Sequence, residues 1–289
     1  MARIRRPVVA GSFYPANPEK LKEQIKECFV SHPLGPRGRK TPSPLLLGGM
    51  VPHAGHIYSG PCAAHLYSRL EENVGCVILL GVNHHGVGAR AALSPADSWE
   101  TPLGEVRVDR ELRETLHGRL DLLEEDEEAH SREHSLEVQL PLLQSVLKDF
   151  TVVPLSLSVL SEKECARLGE VIADLYRGRT ASGKGTIIIA SSDLSHYLSP
   201  IETERLDRMA LEQILALDPA RLLETVDREG ISMCGVIPTA VLLFTAKALG
   251  GAKASLLKHC HSGDVSPMRQ VVGYASVALE HSAGGMLPF

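Results

Sequence analysis

The chain has 289 residues, of which 44% are hydrophobic, so it can bury one large core or two modest ones. Its net charge of −5 argues against nucleic acid as a partner, because a nucleic-acid-binding surface is basic. No apolar run approaches the roughly 18 residues of a membrane span, and no secretory signal is apparent, so we expect a cytoplasmic protein without membrane contact.

Short β-branched runs alternate with longer amphipathic segments along the chain. This pattern is typical of an α/β fold with a mainly parallel central sheet and helices on both faces. The sequence predicts strands at Leu45 to Val51, Val77 to Leu80, Thr151 to Leu157, Thr186 to Ala190, Ser255 to Lys258 and Val271 to Leu279. It predicts helices that start at Pro18, Cys62, Arg110, Ser135, Ser161, Thr203, Asp218 and Val236.

Two proline-dependent features complete this prediction. Pro141 should kink the helix predicted from Ser135 or move its start. The segment from Ser31 to Pro44 contains four prolines and reads as a surface loop, since a strand follows it directly. We therefore expect a single domain over residues 1–289.

Three predicted strands end in residues that carry chemistry. Their ends read Pro52-His53-Ala54-Gly55, Asn83-His84-His85 and Ser192-Asp193-Leu194-Ser195-His196. Ligands of open α/β sheets bind beyond the carboxyl ends of the strands, so residues far apart in sequence can meet there. The sequence therefore predicts that His53 and His84 converge, with Asp193 and His196 nearby.

Cys234 is a further candidate, because it directly precedes the helix predicted from Val236. A helix N-terminus stabilises thiolate, although a buried and inert thiol is the alternative. Asp193 and His196 suit proton transfer, with the carboxylate orienting the imidazole, whereas Ser192 or Asp193 capping a helix is the alternative there. These residues together predict a His/His/Cys site for a metal or a nucleophile.

In the order of its motifs the chain resembles the Memo family, protein B of the AmmeMemoRadiSam systems, nearly end to end. The matching segments are Arg6-Pro7 with AGSFYP from Ala10, PHAGHIYSG from Pro52, GVNHHG from Gly81, WETPLGEVRVD from Trp99, EHSLEVQLP from Glu133, VVPLSL from Val152, SSDLSHY from Ser191 and Cys234-Gly235. The resemblance implies a fold related to the class III extradiol dioxygenases, which hold non-haem iron(II) in a cleft of an α/β sheet.

The resemblance also implies a set of site residues. The family's metal-binding residues fall on His53, His84 and Cys234, and its neighbouring Asp and His fall on Asp193 and His196. Cysteine here replaces the carboxylate ligand of the dioxygenases, and thiolate is the softer ligand, which favours copper or zinc. We therefore expect iron(II) or copper as the cofactor of an oxidoreductase whose substrate the sequence does not disclose.

Other residues of the resembling motifs are expected around this metal. His196, positioned by Asp193, is the candidate acid or base. Glu133 and His134 are candidates for a layer behind the ligands or for a proton-shuttling pair. Tyr14 and Tyr58, together with Phe13, either line the cleft or pack in the core.

Two other classes of function compete with the oxidoreductase. The first is a hydrolase or transferase, metal-independent or zinc-assisted, with Cys234 or Ser192 as nucleophile and His196 with Asp193 as base. The second is a binding protein, since the resemblance extends to animal relatives that are described as adaptors binding peptides in the same cleft. Accordingly, the expected partners are a small molecule or peptide in the cleft and, by family resemblance, a radical-SAM protein.

Overall fold

A computed structural model describes residues 2–183 and 185–282, and within these ranges it contains twelve strands and nine α-helices. The strands are β1 (Ile4–Arg5), β2 (Leu46–Val51), β3 (Cys76–Val82), β4 (Ala91–Leu93), β5 (Ser98–Thr101), β6 (Gly104–Val108), β7 (Glu124–Glu125), β8 (Thr151–Leu157), β9 (Thr186–Ser191), β10 (His196–Leu198), β11 (Ala252–His261) and β12 (Val271–His281). The helices are α1 (Pro18–Lys26), α2 (His56–Tyr67), α3 (Arg110–Arg119), α4 (Glu128–Ser131), α5 (Gln139–Gln144), α6 (Glu162–Ala181), α7 (Pro200–Leu215), α8 (Pro219–Arg228) and α9 (Val236–Leu249).

All twelve strands belong to one sheet. Its main path runs β1-β5-β6-β8-β3-β9-β2-β12-β10, while β11 pairs with β12 and β4 with both β7 and β8. The block β6-β8-β3-β9-β2 is parallel, whereas β5 with β6, β4 with β8, and β12 with each of its partners are antiparallel. The sheet is therefore mixed, and the parallel arrangement predicted for most of it describes its central block.

Helices cover both faces of this sheet, as predicted. Alternate residues of β3 enter opposite cores, with Ile78 and Leu80 on one face and Val77 and Leu79 on the other. Helices α3, α6, α7, α8 and α9 contribute to the first core, and α1, α2 and α5 to the second. None of the helices in the described ranges combines the length and hydrophobicity that crossing a membrane requires.

The six predicted strands are all present, with ends that shift by a few residues. Three helix starts are wrong. Helix α2 begins at His56, not Cys62, and accommodates Pro61 in its interior. The helix predicted from Ser135 begins at Gln139, so that Pro141 lies in its first turn, and α7 begins at Pro200 rather than Thr203.

The central parallel block brings three strand ends to one edge of the sheet. Val51 of β2 lies opposite Ser191 of β9, and Leu80 of β3 lies opposite Ala190 of β9. Close approach of β2 to β9 requires a glycine at position 48, where φ is +148° and a Cβ would meet the carbonyl oxygen of Ile188 at 1.8 Å. The segments that follow β2, β3 and β9 therefore emerge side by side.

Candidate metal site

Three histidine side chains meet beyond these strand ends. His53 follows β2, His84 follows β3, and His134 lies in the segment before α5. One ring nitrogen of each lies within 4.8 Å of the others, and among the described residues this is the only group with metal-ligand spacing. The ring centroids of His53 and His84 are 5.1 Å apart, and His84 stacks on His134 at 4.5 Å.

The hydrogen bonds of Ser191 determine which nitrogen of His53 carries the proton. The Ser191 hydroxyl donates to the Ser135 carbonyl at 2.7 Å and accepts from Gln139 Nε2 at 2.7 Å. A hydroxyl has one hydrogen, so Nδ1 of His53, 3.0 Å from the same oxygen, must donate to it. Nε2 of His53 therefore carries the lone pair, which is the form that binds a metal, and Sγ of Cys234 lies 3.2 Å from it.

Glu133 determines in the same way which ring nitrogen of His84 carries the proton. Its Oε1 lies 2.9 Å from Nδ1 of His84, and because an ionised carboxylate only accepts, Nδ1 carries the proton and Nε2 is free. The fully buried carboxylate also accepts from the backbone N–H groups of His84 at 2.8 Å, His134 at 2.9 Å and Ser135 at 2.7 Å. The chain thus wraps around Glu133, which brings the ring of His134 against His84.

The electrostatics of the group suit a cation. Burial, followed by the positive charges that His84 and His134 can carry, lowers the pKa of His53 well below its ordinary value. Burial also lowers the pKa of His134 to about 4. Burial alone would raise the pKa of Glu133, but its hydrogen bond and charge interaction with His84 hold that pKa well below the usual range. At neutral pH His53 and His134 are therefore neutral and Glu133 is charged, which is the protonation state that metal binding needs.

Cys234, predicted as the third ligand, lies beside this group and is not a member of it. Its Sγ is 3.2 Å from Nε2 of His53, while His134 occupies the third position of the group. Burial, and then the charge of Asp193, raises the pKa of the Cys234 thiol. In the chain alone this direction favours a protonated thiol, because burial outweighs the stabilising effect of the start of α9. A thiolate at Cys234 in the presence of a metal stays a prediction.

Asp193 and His196 have partners that the sequence did not indicate. Oδ1 of Asp193 accepts from the backbone N–H of His53 at 2.7 Å, whereas Nδ1 of His196 donates to the carbonyl of Ser232 at 2.8 Å. Ser232, and not Asp193, therefore orients the His196 ring and leaves its Nε2 free. The helix-capping alternative is wrong, because the next element after this loop is the strand β10.

Burial raises the pKa of Asp193 to about 6, and the hydrogen bond from His53 opposes this shift without cancelling it. A carboxyl group with such a pKa exchanges its proton near neutral pH. Asp193 therefore has two properties of a proton-transfer group: a position against His53 and a pKa close to the working range.

The three aromatic residues considered for the cleft have different positions. The ring of Phe13 lies 4.6 Å from that of His134, so Phe13 borders the histidine group. Tyr14 is buried and donates to Glu137 at 2.6 Å, which places it in the core. Tyr58 packs against a small cluster formed by Cys62, Cys260 and Tyr274.

Sequence reasoning missed the supporting roles of Ser191 and Gln139. Gln139 donates to Ser191 and to the Pro52 carbonyl, and its own carbonyl accepts from Tyr67 at 2.8 Å. The signal was available, because Ser135, Glu137 and Gln139 are polar residues at alternate positions of an otherwise apolar segment. Buried polar residues in such a segment require partners, and here those partners determine the orientation of a ligand.

Comparisons with known proteins cover nearly the whole chain. Residues 5–278 match the family model described as "Memo-like protein". The chain is 42% identical to a MEMO1 family protein of Methanopyrus kandleri over 280 residues, which cover 94% of this chain and 98% of that protein. It is 42% identical to a MEMO1 family protein of Pyrobaculum aerophilum (95% of this chain, 98% of that protein) and 40% identical to one of Methanosarcina barkeri (96% and 100%).

Proposed function

This chain belongs to the Memo family, and on the basis of its histidine group we propose that it is a metal-dependent oxidoreductase related to the extradiol dioxygenases. The observation that carries the proposal is the anchoring of two imidazoles. His53 and His84 each direct Nδ1–H to a buried acceptor and leave Nε2 unprotonated. Such anchoring is the usual arrangement of metal-ligating histidines, and it orients them before the metal arrives.

We propose iron(II) or copper as the metal, with His53, His84 and His134 as ligands. Imidazole suits both metals. Cys234, whose Sγ lies 3.2 Å from Nε2 of His53, is a further donor that can join the ligands if its proton is released on binding. When bound, a redox-active metal supplies the one-electron and oxygen chemistry that side chains lack. The kinship with extradiol dioxygenases rests on the motif resemblance and on the position of the site beyond the strand ends.

The chain's own groups supply proton transfer beside the metal. Nε2 of His196 is free to accept a proton, since Ser232 binds Nδ1. Asp193, with its raised pKa, is the second proton-transfer group. A small molecule or a peptide in the cleft is the proposed substrate, a radical-SAM protein is the proposed partner, and the cytoplasm is the proposed location.

Oxygen uptake tests the proposed activity without a known substrate. Protein loaded anaerobically with iron(II) or copper and then given oxygen and a reductant should consume oxygen faster than the same concentration of free metal. The variant His53→Ala/His84→Ala, treated identically, should not exceed free metal. Equal rates for the wild-type protein and this variant would refute the oxidoreductase proposal.

His196→Ala should keep the metal and lose turnover. Removing a general acid or base lowers the rate by roughly 10² to 10⁴, whereas the three histidines that hold the metal are unchanged. Metal content measured by elemental analysis, together with oxygen uptake, checks both halves. His117→Ala, which changes an exposed histidine on α3, is the matched control. Loss of metal along with activity would instead make His196 a ligand.

Alkylation of Cys234 distinguishes the metal site from a nucleophile. The contact between Cys234 and His53 is the observation that favours the hydrolase or transferase, because an imidazole can activate a thiol. We expect iodoacetamide to modify Cys234 at least about tenfold more slowly than a free thiol at the same pH, since the thiol is only partly exposed and its raised pKa keeps it protonated. Peptide mass spectrometry separates Cys234 from the other five cysteines. Rapid and selective modification would favour the nucleophile.

A further inference from the structure

A second concave surface lies on the face of the sheet covered by α1 and α5. This groove has a volume of about 480 Å³ and is lined by Lys22, Ile25, Lys26, Phe29, Val30, Arg39, Leu103, Gln144, Ser145 and Val146. Its lining includes none of the histidines of the metal site, nor Asp193 or Cys234. Its volume falls in the range of small-molecule sites, roughly 300 to 1,000 Å³.

The groove combines an apolar floor with a basic rim. Ile25, Phe29 and Val146 are buried and form the floor, while the side chains of Lys22 and Lys26 are exposed. Three cationic residues line the groove and no carboxylate does. The groove is therefore positively charged, although the net charge of the chain is −5.

Nearby carboxylates neutralise only part of the rim. Lys22 pairs with Glu19 at 2.9 Å, and Arg39 pairs with Glu72 at 3.2 Å, both in exposed positions where such pairs contribute little. Lys26 has no ion-pair partner within the described parts of the chain. Its charge is therefore available to a ligand.

The backbone at the groove has an uncommon form. Helix α1 continues into a π-helical turn at Glu27–Ser31, in which the N–H of His32 donates to the carbonyl of Glu27 at 2.9 Å. Turns of this kind are rare and occur frequently at functional sites. The turn carries both Phe29 and Val30 to the groove and leaves Val30 52% exposed.

We infer that this groove binds a small amphipathic monoanion, a carboxylate with a hydrocarbon body. The apolar floor takes the hydrocarbon, and the carboxylate lies at the rim near Lys26. The concave shape and limited volume favour a free small molecule over a protein partner. Because the rim is positively charged, an alkyl amine should bind more weakly than a carboxylate of the same chain length.

Methyl NMR titration of the full chain with decanoate, decanol and decylamine tests the inference. We expect decanoate to bind tightest and decylamine weakest, with shifts of the methyl signals of Ile25, Val30 and Val146. The methyl signal of Ala54, next to His53, should not move. Equal affinity for decanol and decanoate would refute the anionic preference. Shifts at Ala54 without shifts at the groove would refute the location.

Charge variants on α1 provide a second test of the proposed site. Lys26→Glu should weaken decanoate binding by about fivefold or more and leave decanol unaffected. Lys20→Glu makes the same charge change on the same helix outside the groove and should have no such effect. Val30→Asn, which adds no charge, should weaken the binding of all three ligands by removing apolar contact. Equal effects of Lys26→Glu and Lys20→Glu would show that only overall charge matters and would overturn the proposed site.

Discussion

His53→Ala combined with His84→Ala should abolish metal retention while the protein remains folded. Both residues follow the ends of strands and lie outside the paired residues of β2 and β3. Two of three ligands are lost, and the remaining imidazole cannot hold an ion by itself. Calorimetric titration measures metal binding, and thermal unfolding monitored by circular dichroism shows whether the fold is retained.

The matched control for this variant is His85→Ala. His85 is adjacent to His84, but its Nε2 contacts the carbonyl of Arg132 at 3.0 Å and it is not part of the histidine group. The control should bind metal as the wild-type protein does. Wild-type affinity in the double variant would contradict the assigned ligands, and its global unfolding would show that the histidines are structural.

Glu133→Ala should impair both stability and metal binding. The change leaves the backbone N–H groups of His84, His134 and Ser135, and Nδ1 of His84, without their acceptor. A buried donor left without its acceptor typically costs about 1–3 kcal/mol, so the loss of these hydrogen bonds should lower the free energy of unfolding by about 3 kcal/mol or more. Losing the group that orients a ligand typically lowers metal affinity by about 10- to 100-fold. Urea denaturation and metal titration measure the two effects.

Glu133→Gln keeps the prediction testable if the alanine variant does not fold. The amide retains one acceptor oxygen but loses the negative charge, so the stability loss should be smaller while metal affinity still falls. Glu128→Ala, which removes an exposed carboxylate on α4, is the control for a general change in charge. Unchanged metal affinity in Glu133→Gln would show that Glu133 supports the fold and not the site.

The central strands were predictable because their sequences are locally unambiguous. Strands such as β3 and β9 are apolar almost throughout, and this pattern indicates burial on both faces. The short strands β4, β5 and β6 were missed because they span only three to five residues each. The mixed character of the sheet depends on how distant segments pair, as β12 does with β2, and local patterns do not encode this.

The location of the site could be predicted from the sequence, but not all of the residues that form it. The strand ends revealed His53 and His84, because the topology of an α/β sheet brings such ends together. His134 could not be placed from its position in the sequence, since it enters the group through the buried carboxylate of Glu133. Likewise, the partner of His196 is Ser232, which is 36 residues away in the chain.

X-ray absorption spectroscopy of zinc-loaded protein tests the three-histidine assignment most directly. Zinc is redox-inert, and the spectrum distinguishes nitrogen ligands at about 2.0–2.1 Å from sulfur ligands at about 2.3 Å. We predict three imidazoles around zinc in the wild-type protein, three in Cys234→Ser and two in His134→Ala. An imidazole count that is the same in His134→Ala as in the wild-type protein would contradict the assignment.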